Sequence, residues 1–442
     1  MKRVSTLLIA VALMLTILSG LSFAESTTME DRIAEINNDA SITVTTAILD
    51  ETSPTGAYVT FRYPASENIV RVAVGCDEMT FANEDAVDIA PEDWTPGSWV
   101  HSNNRTSTAR DMELIGDYWC ATWPAVNGSL LYYFYVGEAG DDYVNAESTY
   151  DFCEAAIAAN KQYWDPQNEP AIASWETQLT FAANQRRSLI YVPRAEGFSD
   201  EDMLDLTLQD PNGTEEKGSI SFCQIPGTIN GEEAHINASI YLPYGFDPNR
   251  AEPYPMEVLY HGANGDYTQW VAHGGMNHIF DNAIAQGLVE PTVVVMPDGE
   301  DSGYDIDFII NDILPYMQQN YNVSTDPSRL AMSGLSRGGM TTGYMLVDHP
   351  DAFKYYGGFS CLINPNDRGL VYIDLSDPAL TEVKIYSSYG DNDYTGEGCQ
   401  ASIDKIATNP DIDISSEVLH GAHQMYYWRQ ALANFITNYL WK

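Results

Sequence analysis

Apolar residues are spaced in two different ways along this chain. Between about residues 41 and 148 they come in short runs separated by turn signals. Ala57-Tyr-Val-Thr-Phe-Arg-Tyr63 alternates, and Ile69-Val-Arg-Val-Ala-Val74 is strongly β-branched. Residues 112–123 read as two strands joined at Gly116-Asp117, and residues 130–136 as another. Period-two alternation turns one side of each run toward a core, and no amphipathic helix of useful length interrupts the series. The pattern predicts an antiparallel β-sandwich. A polar, proline-punctuated stretch over residues 156–185 reads as a linker. Beyond it, Ala238-Ser-Ile-Tyr-Leu-Pro243, Met256-Glu-Val-Leu-Tyr260 and Thr292-Val-Val-Val-Met296 are dense apolar strands that alternate with helical stretches at 307–321 and 424–439. Strands apolar on both sides are buried on both faces, so this half predicts an α/β domain with a mostly parallel sheet under helices.

The first residues follow neither pattern. Lys2-Arg3, an apolar run over 7–21 and Ser22-Phe-Ala24 have the layout of a signal peptide with a small-x-small cleavage site. The expected organisation is a signal peptide at 1–24, a sandwich domain at 25–155, a linker at 156–185 and an α/β domain at 186–442, in a secreted protein. The formal charge of −42 repels phosphate backbones and anionic lipid, which argues against nucleic acid or a membrane surface as partner. The six cysteines are compatible with an exported chain, and a Cys361–Cys399 bridge is expected. No C-x-x-C pair and no His/Cys cluster at zinc spacing occurs, so neither a metal nor a cofactor is expected.

The candidate chemistry centres on Gly334-Leu-Ser-Arg-Gly338, which falls between a strand-like run and a helix-like run. A Gly-x-Ser-x-Gly frame in that context is a nucleophile elbow, with Ser336 exposed at the strand tip and the helix N-terminus facing a developing oxyanion. A serine needs a histidine as base, and the histidine needs a carboxylate to orient it. Leu419-His-Gly-Ala-His423 lies late enough in the chain to supply the base. His423, after the glycine turn, is preferred to His420. The loop Tyr389-Gly-Asp-Asn-Asp-Tyr394 supplies the acid, with Asp393 preferred and Asp391 the alternative. The oxyanion donors are expected to be the N–H of Arg337 and that of Gly262 or Ala263, in the small-residue loop after 256–260. His261 precedes the serine and reads as a residue that orients that loop. Trp270 and Trp428 adjoin the catalytic loops and are the candidate substrate-binding aromatics.

Seven segments in order resemble the esterase-D-like carbohydrate esterases of family 1, which include feruloyl and acetylxylan esterases. They are Ile240-Tyr-Leu-Pro-Tyr-Gly-Phe-Asp247, Leu259-Tyr-His-Gly262 with Trp270, Val293-Val-Val-Met-Pro-Asp298, Asn311-Asp-Ile-Leu-Pro-Tyr316, the Ser336 elbow, Gly390-Asp-Asn-Asp393, and Gly421-Ala-His423 with Tyr427-Trp-Arg429. The resemblance implies an α/β-hydrolase domain with Ser336, Asp393 and His423 as its triad, and it implies an acylated plant cell-wall polysaccharide such as xylan as substrate. The first half resembles the immunoglobulin-like domain that often precedes such esterases. Arg337 departs from the family, where Met is frequent after the nucleophile, and this alters the pocket floor or its charge. Two other readings stay open: an esterase or acyltransferase acting on another exported small ester, and a catalytically inert polysaccharide-binding protein.

Overall fold

The computed structural model of the protein describes residues 28–78, 80–82, 87–100, 109–168, 186–361, 363 and 373–442. The expected signal peptide and most of the expected linker lie outside these residues. Among the described residues no helix is long and apolar enough to cross a membrane.

Among the described residues, two main antiparallel sheets form the core of the N-terminal half, and a third has only the two strands Phe81–Ala82 and Trp99–Val100. One runs Thr46–Leu49, Ala57–Pro64, Tyr118–Pro124, Glu113–Ile115; the other runs Gln162–Tyr163, Gly128–Glu138, Ile69–Cys76, Arg110–Asp111. Their inward residues, among them Val59, Phe61, Val74, Trp123, Tyr132 and Phe134, share one core. The Phe61 ring stands 5.2 Å from Trp123 and 5.3 Å from Tyr132. Tyr133 and Tyr135 point the other way and are covered by the helix Thr149–Ala158 through Phe152 and Cys153. That cover explains why this strand is apolar on both faces.

One boundary differs from expectation. Ser188–Val192, expected to open the second domain, pairs antiparallel with Gly128–Glu138 in the N-terminal sheet, Ser188 opposite Tyr132 and Val192 opposite Gly128. Gln162–Tyr163 covers that edge only at Tyr135 and Phe134. Ser188–Val192 continues that cover along Gly128–Tyr132 and pairs the peptide groups that point to this edge.

The C-terminal half is an α/β-hydrolase-like domain on an eight-stranded sheet. Its strands are β1 (Ser219–Ile229), β2 (Glu232–Leu242), β3 (Met256–Tyr260), β4 (Val293–Pro297), β5 (Leu330–Leu335), β6 (Tyr355–Phe359), β7 (Lys384–Gly390) and β8 (Asp413–Leu419), in the spatial order 1-2-4-3-5-6-7-8. The β1–β2 and β2–β4 pairings are antiparallel, and all pairings from β4 to β8 are parallel. Val293 and Val295 pack into one core and Val294 and Met296 into the other, so each central strand is buried on both faces. The helices α1 (Arg337–Asp348), α2 (Gly396–Ile406) and α3 (Met425–Asn434) follow β5, β7 and β8. The loops at the C-terminal ends of these strands therefore meet at one edge of the sheet.

Candidate functional site

β5 ends at Leu335 and α1 begins at Arg337, so the turn between them is Ser336 alone. Its backbone is held at φ 50°, ψ −113°, a strained conformation for a residue with a Cβ. Its N–H donates to Phe359 O at 2.7 Å, which pins the turn to β6. The flanking glycines are required sterically. A Cβ on Gly334 would lie 2.6 Å from the Gly338 carbonyl carbon, and one on Gly339 would lie 1.9 Å from Cys361 O.

Ser336 Oγ lies 2.9 Å from His423 Nε2, and His423 Nδ1 lies 3.0 Å and 3.2 Å from the two Asp393 carboxylate oxygens. Asp393 accepts further hydrogen bonds from Ser360 Oγ, Thr395 N–H and Thr395 Oγ1. Burial pushes its carboxyl upward, but the hydrogen bond and charge of His423, with Ser360 and Thr395, outweigh burial and leave it below the usual aspartate value. Asp391 and His420, the alternatives at each position, form a separate pair at 2.9 Å on the same two loops. Asp391 also accepts the Gly421 N–H, and His420 Nε2 reaches Ser98 O of the N-terminal half at 3.2 Å.

The loop after β3 packs directly on the turn: a Cβ on Gly262 would sit 3.4 Å from Ser336 Cβ. Gly299 N–H donates to His261 Nε2 at 2.7 Å, so the ring proton is on Nδ1 and donates to Gly262 O, also at 2.7 Å. The Tyr304 hydroxyl donates to that carbonyl at 2.9 Å. His261 thus braces this loop. Of the two expected donors from the loop, the Gly262 N–H is occupied by Gln269 Oε1 at 3.2 Å, which leaves the Ala263 N–H as the candidate beside that of Arg337. At the start of α1 the Arg337 N–H lacks an intrahelical acceptor, as the first N–H groups of any helix do.

Neither tryptophan offers an open surface to a substrate. Trp270 is 1 % exposed and donates its indole N–H to Tyr260 O at 2.9 Å; it packs behind the loop after β3. Trp428 is buried, meets the His423 ring edge-on at 4.9 Å, and donates to Ser360 Oγ at 2.7 Å. It is a support for His423 and Asp393. The expected bridge is also absent: the six cysteines are thiols, and the Cys399 thiol is lowered first by its hydrogen bond with Cys361.

Sequence reasoning passed over three neighbours. Ser360 links Trp428 to Asp393, and Thr395, two residues past Asp393, donates to it and to Ser360 O. Tyr394 is 81 % exposed with its ring 4.5 Å from that of His423, so it is the exposed aromatic that Trp270 and Trp428 were expected to be. Its place next to Asp393 in the loop was the available signal.

The family model described as "Putative esterase" matches residues 230–438, just under half of the chain. An endo-1,4-beta-xylanase/feruloyl esterase of Xylanibacter ruminicola is 29 % identical over 213 residues, covering 44 % of this chain and 28 % of that protein. Endo-1,4-beta-xylanase Y of Acetivibrio thermocellus is 26 % identical over 216 residues, covering 44 % of this chain and 20 % of its own length. The chain thus spans between a fifth and a third of these curated relatives. Among solved structures, the enterobactin esterase FES from Shigella flexneri superposes with a TM-score of 0.54 at 17 % identity, over 87 % of this chain and 93 % of that one, which is a likeness of fold. Residues 230–438 accordingly carry the esterase family's sequence pattern on an α/β-hydrolase-like fold.

Proposed function

We propose that this protein is a secreted serine carboxylic-ester hydrolase that removes feruloyl or acetyl groups from plant cell-wall polysaccharide such as xylan. The observation that carries the reading is the hydrogen-bonded series Ser336–His423–Asp393 at a strained strand–helix turn. Ser336 Oγ attacks the ester carbonyl carbon as His423 Nε2 takes its proton. The N–H groups of Arg337 and Ala263 hold the oxyanion, and Asp393 stabilises the imidazolium. Collapse releases the sugar alcohol, which takes the proton from His423 and leaves an acyl group on Ser336. Water, deprotonated by His423, repeats the sequence and frees the acid. The exposed Tyr394 ring offers a face on which an aromatic acyl group can stack. The xylanase and feruloyl esterase names of the two bacterial relatives support the substrate class. The two antiparallel sheets belong with this reading as an immunoglobulin-like companion domain.

Hydrolysis of methyl ferulate and of an aryl acetate by wild type and Ser336→Ala tests it. The variant should lose about a thousandfold or more in kcat with its fold intact. Equal inactivity of both proteins on both esters would overturn the esterase reading in favour of an inert binding protein.

A further inference from the structure

We infer that Arg337 makes this site selective for esters carrying a carboxylate close to the scissile bond, an inference that rests on the esterase reading above. Arg337 follows Ser336 directly, its side chain is exposed, and its guanidinium lies over the Tyr304 ring, 5.3 Å from the centroid. Tyr304 is itself fixed, 8 % exposed and hydrogen-bonded to Gly262 O. The cation is therefore held on the Gly262 side of Ser336.

Among the described residues its charge is unanswered. The chain has 63 acidic residues to 21 basic ones. Arg71, Arg187, Arg194, Arg329 and Arg429 each meet a carboxylate. Among the described residues, no carboxylate lies within 4.0 Å of Arg337. Glu300, on the same side, instead accepts from the Asn264 N–H at 2.9 Å. A guanidinium is a planar fork of N–H donors that fits a carboxylate in a bidentate pair. The −42 field of the whole chain repels polyanions at a distance, so the anion that suits this fork is a single carboxylate on a ligand already bound as an ester. That carboxylate can belong to the acyl part, as in a half-ester of a dicarboxylic acid, or to the alcohol part, as in an acylated uronate.

The test is the ratio of kcat/KM within two matched pairs: 4-nitrophenyl hemisuccinate against 4-nitrophenyl butyrate, and an O-acetylated methyl galacturonoside against the corresponding galactoside. Each ratio is measured for the full chain as wild type, Arg337→Met and Arg337→Lys. The anionic-to-neutral ratio of one pair should fall about tenfold in Arg337→Met and less in Arg337→Lys, which keeps the charge but loses the fork. The pair that responds identifies the source of the carboxylate. Ratios that are the same in wild type and Arg337→Met for both pairs would overturn the inference while turnover of the neutral esters left the esterase reading standing. No turnover of any ester by wild type would remove that reading, and this one with it.

Discussion

Asp391 and Asp393 stand two residues apart on one loop, and each meets a different histidine. Asp393 is buried under His423, with Ser360 and Thr395 donating to it, whereas Asp391 faces the half-exposed His420. Replacing Asp393 by Asn should leave the fold intact and lower kcat by about 10³–10⁴-fold, because the amide cannot hold the imidazole tautomer that accepts the Ser336 proton. Asp391→Asn should cost only a few-fold. Equal losses in the two variants, measured as kcat on an aryl acetate, would break the assignment. The residue-level reading of the sequence reached this loop from chain order and a Gly-punctuated strand end, both of them local signals. It could not see which carboxylate meets which histidine. The register of β7 on β8, with Gly390 opposite Leu419, decides that, and it is a non-local pairing. The same limit misplaced Trp270: an indole beside a catalytic loop in sequence can lie in front of the loop or behind it, and only the packing of Trp270 against Phe359 puts it behind.

At the scale of elements, strands and helices were legible where a short periodic run and a turn residue fix them, as in residues 112–123, where Glu113–Ile115 and Tyr118–Pro124 pair around the Gly116-Asp117 turn. What the pattern hid is a carboxyl inside the apolar run of β3. Glu257 is fully buried; Ser333 Oγ of β5 donates to its Oε1, and Oε2 has no partner among the described residues. Burial raises its pKa from 4.5 to about 7, against a smaller opposing effect of the Ser333 hydrogen bond. The sign follows from proton counting. Between pH 4.5 and 7 the unfolded chain has released this proton and the folded chain still holds it, so stability falls as pH rises through that window. The fall amounts to roughly 3 kcal/mol and levels off above it. Glu257→Gln removes the titration while keeping the shape. Urea unfolding at pH 5 and at pH 8 should therefore show a loss of stability about 3 kcal/mol smaller in the variant than in wild type. Parallel pH profiles for the two proteins would show that Glu257 does not titrate in this way.

At the scale of the whole molecule, the two halves are joined through the helix that follows the proposed catalytic histidine. Arg429, one residue beyond Trp428 on α3, is 0 % exposed. It donates to Ser129 O at 2.6 Å, to His273 O at 2.7 Å and 3.0 Å, and to Glu78 Oε1 at 3.3 Å. Glu78 in turn accepts the Leu131 N–H at 2.7 Å, so both members of the pair bind the strand Gly128–Glu138. Burial raises the Glu78 carboxyl to about 7 against the opposing pull of Arg429, and the arginine keeps its proton. Two desolvated charges add little net stability when paired, but losing one partner strands the other in the interior. Glu78→Gln and Arg429→Met should each cost about 3–5 kcal/mol in urea unfolding, and the double variant should cost less than the sum of the two. Because Trp428 and His423 ride on the same turn and helix, the folded fraction of Arg429→Met should also lose kcat on an aryl acetate while Ser336 and Asp393 are untouched. Additive single costs, or a variant with wild-type kcat, would mean that the N-terminal sheets do no more than rest against α3; coupled costs together with a lower kcat would make them part of what positions His423.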